Sequence, residues 1–149
     1  MKKKLFGFAG LIVLTGLQVS AQCDFKNLTD SLKGKIAKDE IFLESFSAAL
    51  NRSDSAGSVP MSRFAIKFQK ETTYRLRILS DQKLYEPCAI LQLLEGSILK
   101  GSNYDMKNKI CHDSFEFNNP FNRDGEIVIY FVDGKNGCAV ASISKVIKK

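Results

Sequence analysis

The chain has a single histidine, His112, between Cys111 and Asp113, the first place where side-chain types could do chemistry. A Cys–His or Ser–His–Asp site needs an imidazole to take the nucleophile's proton, and only His112 can supply one. Neighbours in an extended segment point to opposite faces, so adjacency works against a Cys111–His112 pair. His112 is therefore expected to be an exposed loop residue. Glycosidase-type chemistry needs two carboxyl groups about 5–10 Å apart across a cleft. Asp105, Asp113, Glu116 and Asp124 supply acids, but no spacing selects a pair. No phosphate-binding glycine loop, GxSxG or HExxH motif occurs. The expectation is a protein that is not an enzyme and holds no cofactor.

Oxygen-rich turns suit a hard cation, so Asn103, Asp105 and Asp113 could hold calcium. EF-hand spacing is absent, and the simpler reading is turn residues that cap their own backbone. The four cysteines, Cys23, Cys88, Cys111 and Cys138, are 65, 23 and 27 residues apart. These spacings match no zinc pattern and contain no CxxC. An even count in an exported chain permits two disulfides in three connectivities, and geometry decides among them. Buried free thiols are the other reading.

Arg63, Lys67, Arg75 and Arg77 lie on two alternating segments and are expected on the outer face of one hairpin. Such a basic stripe could meet an acidic glycan or a lipid head group. Read more simply, it is a solvated face whose charges discourage edge pairing. Two tripeptides, Asp30-Ser31-Leu32 and Asp54-Ser55-Ala56, resemble Bacteroidota O-glycosylation sites, the second lying in a loop.

The elements that must position these residues follow from periodicity. Phe25, Leu28, Leu32 and Ile36 recur at helical spacing, which predicts a helix over 24–37 with Asp24 near its N-terminus. Residues 41–49 alternate and read as a strand in preference to a helix. Phe64, Ile66 and Phe68, then Tyr74, Leu76 and Ile78, alternate with polar residues. The short link Gln69–Thr72 between them fits a hairpin. Residues 88–94 and 127–132 are nearly continuous apolar runs, expected of strands covered on both faces. Phe115 and Phe117 mark another strand, Asp133–Gly137 reads as a hairpin connection, and 138–143 as the last strand.

At the N-terminus, Lys2–Lys4 precede an uncharged apolar run from Leu5 to Leu17 and small residues at Val19–Ala21. This is the layout of a secretory signal peptide cut between Ala21 and Gln22. The run is shorter than the roughly 20 apolar residues that a spanning helix needs, so no transmembrane anchor is expected after cleavage. Acylation at Cys23 is the alternative, but Ser20 and Gln22 fit a lipoprotein signal poorly. The formal charge is +6 over 149 residues, with 22 basic and 16 acidic. Three of the basic residues are leader lysines, so the mature excess is about three, and nucleic-acid binding is not expected.

The strand rhythm carries a resemblance. Thr73–Ile78, Ala89–Leu93, Gly101–Asp105, Ser114–Phe117 and Gly125–Phe131 together resemble small secreted proteins of the Bacteroidota. More distantly, the rhythm over roughly 60–143 is similar to the bacterial pre-peptidase C-terminal (PPC-like) domain, although Ile127 replaces that pattern's usual aromatic. That domain is a β-sandwich which accompanies secreted enzymes without being the catalyst, so the resemblance implies an accessory role.

The expectation is thus a leader over 1–21, a helical lead-in over 22–40 and one domain over 41–149. That domain is all-β: an antiparallel, jelly-roll-like sandwich of about seven or eight strands. It would be periplasmic or secreted, a non-catalytic binding module for a protein or glycan of the envelope. An envelope-attached lipoprotein and a small secreted hydrolase are the rival functions.

Overall fold

The computed structural model describes residues 23–51, 58–81, 88–134 and 136–148. The leader, the Ala21–Gln22 junction and Asp54-Ser55-Ala56 lie outside the described residues. Helix α1 runs Phe25–Gly34, and its first turn is capped by Asp24, whose Oδ1 accepts from the Asn27 N–H at 3.0 Å. Its apolar stripe buries Leu32 fully and Phe25 and Leu28 in part. It packs on β10, β3 and β1.

Ten strands follow: β1 Glu40–Leu50, β2 Met61–Phe68, β3 Thr72–Ser80, β4 Ala89–Glu95, β5 Ile98–Ser102, β6 Tyr104–Asp105, β7 Ile110–Cys111, β8 Ser114–Asn119, β9 Arg123–Phe131 and β10 Gly137–Val146. Two four-stranded sheets have the orders β1-β10-β3-β8 and β2-β9-β4-β5, and β6 and β7 form a separate ribbon. All pairings are antiparallel. Leaving out the ribbon and the β4–β5 hairpin, successive strands alternate between the two sheets in the manner of a jelly roll, the all-β sandwich expected.

The core lies between the sheets. Phe46, Tyr74, Leu76, Ile78, Ala141 and Ile143 from one face Phe68, Leu91, Leu93, Ile127, Ile129 and Phe131 from the other. Strands β4 and β9 are interior to their sheet. Ile90 and Val128, which alternate with the core positions, are buried as well, which explains the two continuous apolar runs.

Two expected hairpins are corrected. Strand β2 pairs with β9, whereas β3 pairs with β10 and β8. The link Gln69–Glu71 therefore crosses from one sheet to the other. A hairpin would have set the apolar faces of β2 and β3 side by side. Crossing stacks them face to face, with Phe68 against Tyr74 at 5.0 Å between ring centroids. The corner is fixed by the Gln69 N–H donating to Tyr74 Oη at 2.8 Å and by Glu71 at φ 54°. The connection after β9 likewise crosses between sheets, through a 3₁₀ turn over Val132–Gly134 with Gly134 at φ 62°.

Candidate functional site

Strands β1 and β2 are the edge strands at the same side of the two sheets. Between them opens a groove of about 580 Å3, within the usual size of a small-ligand cleft, about 300–1,000 Å3. Its apolar lining comes from Leu43 of β1, Ile66 of β2, Tyr74 of β3 and Ile143 of β10. The charges on it are Glu44, Lys67 and Asp124.

Local sequence sets this geometry. The pairing of β1 with β10 shifts between Phe42 and Glu44, so Leu43 is the extra residue of a bulge. A bulge bends its strand and re-aims side chains. Here Leu43 and Glu44 are both exposed beside the groove, although strict alternation would bury one of them. Gly125 lines the groove too. A Cβ there would lie 2.9 Å from both the Leu94 carbonyl oxygen and the Phe68 ring, so the close approach of β9 to β4 requires glycine.

Lys67 and Asp124 are register partners across β2 and β9, yet among the described residues neither they nor Glu44 make an ion pair. Further along the same face of this ladder, Arg63 pairs diagonally with Glu126 at 2.8 Å. Glu44 shares the parity of core-facing Phe46 and Ile143, while Lys67 and Asp124 alternate with the core positions of β2 and β9 and stand at the rim, where these charges can meet polar groups of a ligand whose apolar part fills the groove.

The expected basic stripe does not form. Arg63 and Lys67 lie on one sheet, Arg75 and Arg77 on the other. Arg75 and Arg77 converge on the Glu40 carboxylate, with Arg77 Nη2 2.7 Å from Glu40 Oε1. Arg75 also pairs with Glu116. The Glu40 side chain is wholly buried. Hydrogen bonding from Arg77, more than desolvation opposes, holds its carboxyl below the ordinary carboxylate range, and Arg75 adds to the effect. The Arg75 guanidinium is held more firmly charged, first by Glu116 and then by Glu40. Ser142 and Ser144, register partners of Arg77 and Arg75 on β10, bury hydroxyls that have no hydrogen-bond partner among the described residues. These two arginines are thus structural, and of the four basic residues only Lys67 reaches the groove.

In the oxygen-rich turn the polar groups bond mostly to the protein itself. Asn103 is buried; its Oδ1 accepts from the Leu91 N–H at 2.7 Å, and its Nδ2 donates to the carbonyls of Ala89 and His112 at 3.1 and 3.0 Å. It fastens the β6–β7 ribbon to β4. Asp105 accepts from the Lys107 and Asn108 N–H groups and from Asn108 Nδ2. The Asn108 amide is the main cause of its depressed carboxyl pKa. Asp113 pairs with Lys35 at 3.4 Å. Asn103 and Asp105 thus bond within the fold, the simpler of the two readings of these residues, and no cluster of three metal-type ligands occurs among the described residues. The His112 side chain is exposed. Ser31 is exposed on α1, where Asp30 is engaged by Lys26.

The cysteines form two disulfides, Cys23–Cys138 and Cys88–Cys111. The first ties the start of α1 to β10, and the second ties the start of β4 to the ribbon. Two disulfides fit an oxidising compartment. Among the described residues, no helix is long and apolar enough to cross a membrane. No protein-family model and no curated protein matches the chain.

Sequence reading missed Leu43, Glu44, Ile66, Tyr74, Gly125 and Ile143 as groove residues. The one signal in the sequence was the Asp124-Gly125 pair, which reads as a turn but lies inside β9.

Proposed function

We propose that the protein is an exported, non-catalytic binding module that seats an extended polypeptide segment in the groove between β1 and β2. The observation that carries the reading is the apolar floor of Leu43, Ile66, Tyr74 and Ile143 beside three charges that no other described group neutralises. Both flanking strands are sheet edges, whose outer N–H and C=O groups are open to a further strand. Glu44 and Asp124 outnumber Lys67, so the preferred segment carries basic residues. The fold is well suited to presenting a fixed groove, because both disulfides fasten peripheral elements to central strands.

Export and a place in the periplasm or outside the cell are part of the same proposal. They rest on the leader pattern before Gln22 and on the two disulfides. The resemblance to the PPC-like domain of secreted enzymes agrees with an accessory role.

The test is selection of a random peptide display library against the oxidised domain. Enriched peptides should carry basic and apolar residues and lose about tenfold in affinity on Glu44→Lys or Asp124→Lys. Failure to enrich, or enrichment indifferent to both substitutions, would overturn the reading. Binding of a glycan array that depends on the same residues would replace the polypeptide with a glycan.

A further inference from the structure

The other side of the sandwich carries a second surface, independent of the groove. Its centre is the connection between β8 and β9, Pro120–Asn122. Asn119 is fully buried and donates its Nδ2 to the Gln69 carbonyl at 2.6 Å and to the Phe121 carbonyl. Asn122 Oδ1 accepts from the Lys70 N–H at 2.9 Å. The backbone of this connection is therefore fixed at both ends, yet Phe121 is 67% exposed, the one aromatic among the exposed large apolar side chains described.

Three neighbours give this ring a context. The Arg123 guanidinium lies 5.8 Å from its centroid, within cation–π range. Arg123 also binds the Glu95 carboxylate, which Lys100 binds at 2.8 Å. Lys100 belongs to β5, and there Ile98 and Leu99 are 59% and 51% exposed. Among the described residues β5 pairs only with β4, so it is the outer edge of its sheet.

Short strands and lysines blunt most sheet edges against further pairing. In β5 the lysine is engaged by Glu95. What remains is an open edge, three exposed apolar side chains, and two cations sharing one carboxylate. A rigidly held aromatic beside an arginine is the composition of an interface anchor, because little freedom is lost when it is covered. The excess positive charge selects a partner with carboxylates.

We propose that β5, with Phe121, Arg123 and Lys100, is a docking edge for an extended segment of another protein that alternates acidic and apolar residues. The segment joins the sheet as a fifth strand beside β5: its carboxylates meet Lys100 and Arg123 on the face that Ile98 shares with Glu95 and beside Phe121, while its apolar side chains cover Leu99 on the other face.

The test uses the oxidised domain and a fluorescein-labelled peptide of about ten residues, the upper length of an ordinary strand, that alternates Asp and Val. A Lys–Val peptide is the control, and fluorescence anisotropy at low salt is the readout. The Asp–Val peptide should bind at least about tenfold more tightly than the control. Phe121→Ser should weaken it by about tenfold, Lys100→Glu should reverse the preference, and Glu44→Lys in the groove should leave it unchanged. No saturable binding, equal binding of both peptides, or indifference to Phe121→Ser and Lys100→Glu would overturn the proposal. A doubling of solution mass that Phe121→Ser abolishes would also overturn it, because a second copy of the chain would then occupy the edge.

Discussion

Replacing Glu40 tests the internal architecture most sharply. Its carboxylate is wholly buried and is held by both Arg75 and Arg77. Glu40→Gln keeps the shape and removes the charge, leaving Arg77 buried without a counter-ion, while Arg75 keeps Glu116. Breaking a buried pair by removing one partner costs about 3–5 kcal/mol. The surviving Glu116 contact places this case at the low end, about 3 kcal/mol. For a domain of this size that is a fall in Tm of about 10 °C. The assay is urea and thermal unfolding by near-UV circular dichroism, with disulfides intact, across pH.

The pH dependence follows from the same carboxylate. In the folded state its pKa is depressed below the ordinary 4.5. Its stabilisation is therefore fully present above 4.5 and is lost as pH falls through the folded value. The gap between wild type and Glu40→Gln should be constant near neutrality and narrow as pH falls below 4.5 and through the lower folded value. Replacing Glu40 and Arg77 together by Met should recover most of the loss, because well-packed apolar groups can stand in for a buried ion pair. A Glu40→Gln protein within about 0.5 kcal/mol of wild type at pH 7, or a gap that persists at low pH, would refute the reasoning.

Three further outcomes follow from the structure. Asn103→Ala leaves the Leu91 N–H and the Ala89 and His112 carbonyls without their partner, and should cost about 2–4 kcal/mol in urea unfolding. Gly125→Ala should cost about 1–3 kcal/mol by the same assay, because the Leu94 carbonyl cannot retreat from the new methyl group without breaking the β4–β9 ladder. Intact mass with alkylation should show no free thiol before reduction. Peptide mapping should then recover Cys23–Cys138 and Cys88–Cys111, and Cys23→Ser should raise hydrogen exchange across Phe25–Gly34 while sparing β9.

Much of the fold was legible because its elements are locally periodic. The stripe Phe25, Leu28, Leu32 with Asp24 ahead of it predicted α1 to within three residues at its C-terminal end. The alternation in β2, β3 and β8 and the continuous runs in β4 and β9 marked strands correctly. Partnership was not legible. An alternating strand pair joined by three residues reads the same whether it folds back in one sheet or crosses to the next, and the Phe68–Tyr74 contact that distinguishes them is tertiary. The two-residue strands β6 and β7 are too short to carry a period.

The site was less legible for related reasons. The groove needs the bulge at Leu43 and the meeting of two edges from different sheets, and neither leaves a sequence signal. Arg75 and Arg77 looked like surface charges because they alternate with apolar residues on β3. The helix, through Leu32, and Glu40 make that outer face an interior.

The central claim is that the β1–β2 groove is a binding site for a polypeptide. Its most direct test is backbone amide shift mapping of the isotope-labelled, oxidised domain, titrated with the strongest peptide selected from the display library. The account predicts saturable shifts centred on Leu43, Glu44, Ile66, Lys67, Asp124 and Gly125. Shifts centred elsewhere on the domain, or none at saturating peptide, would contradict it.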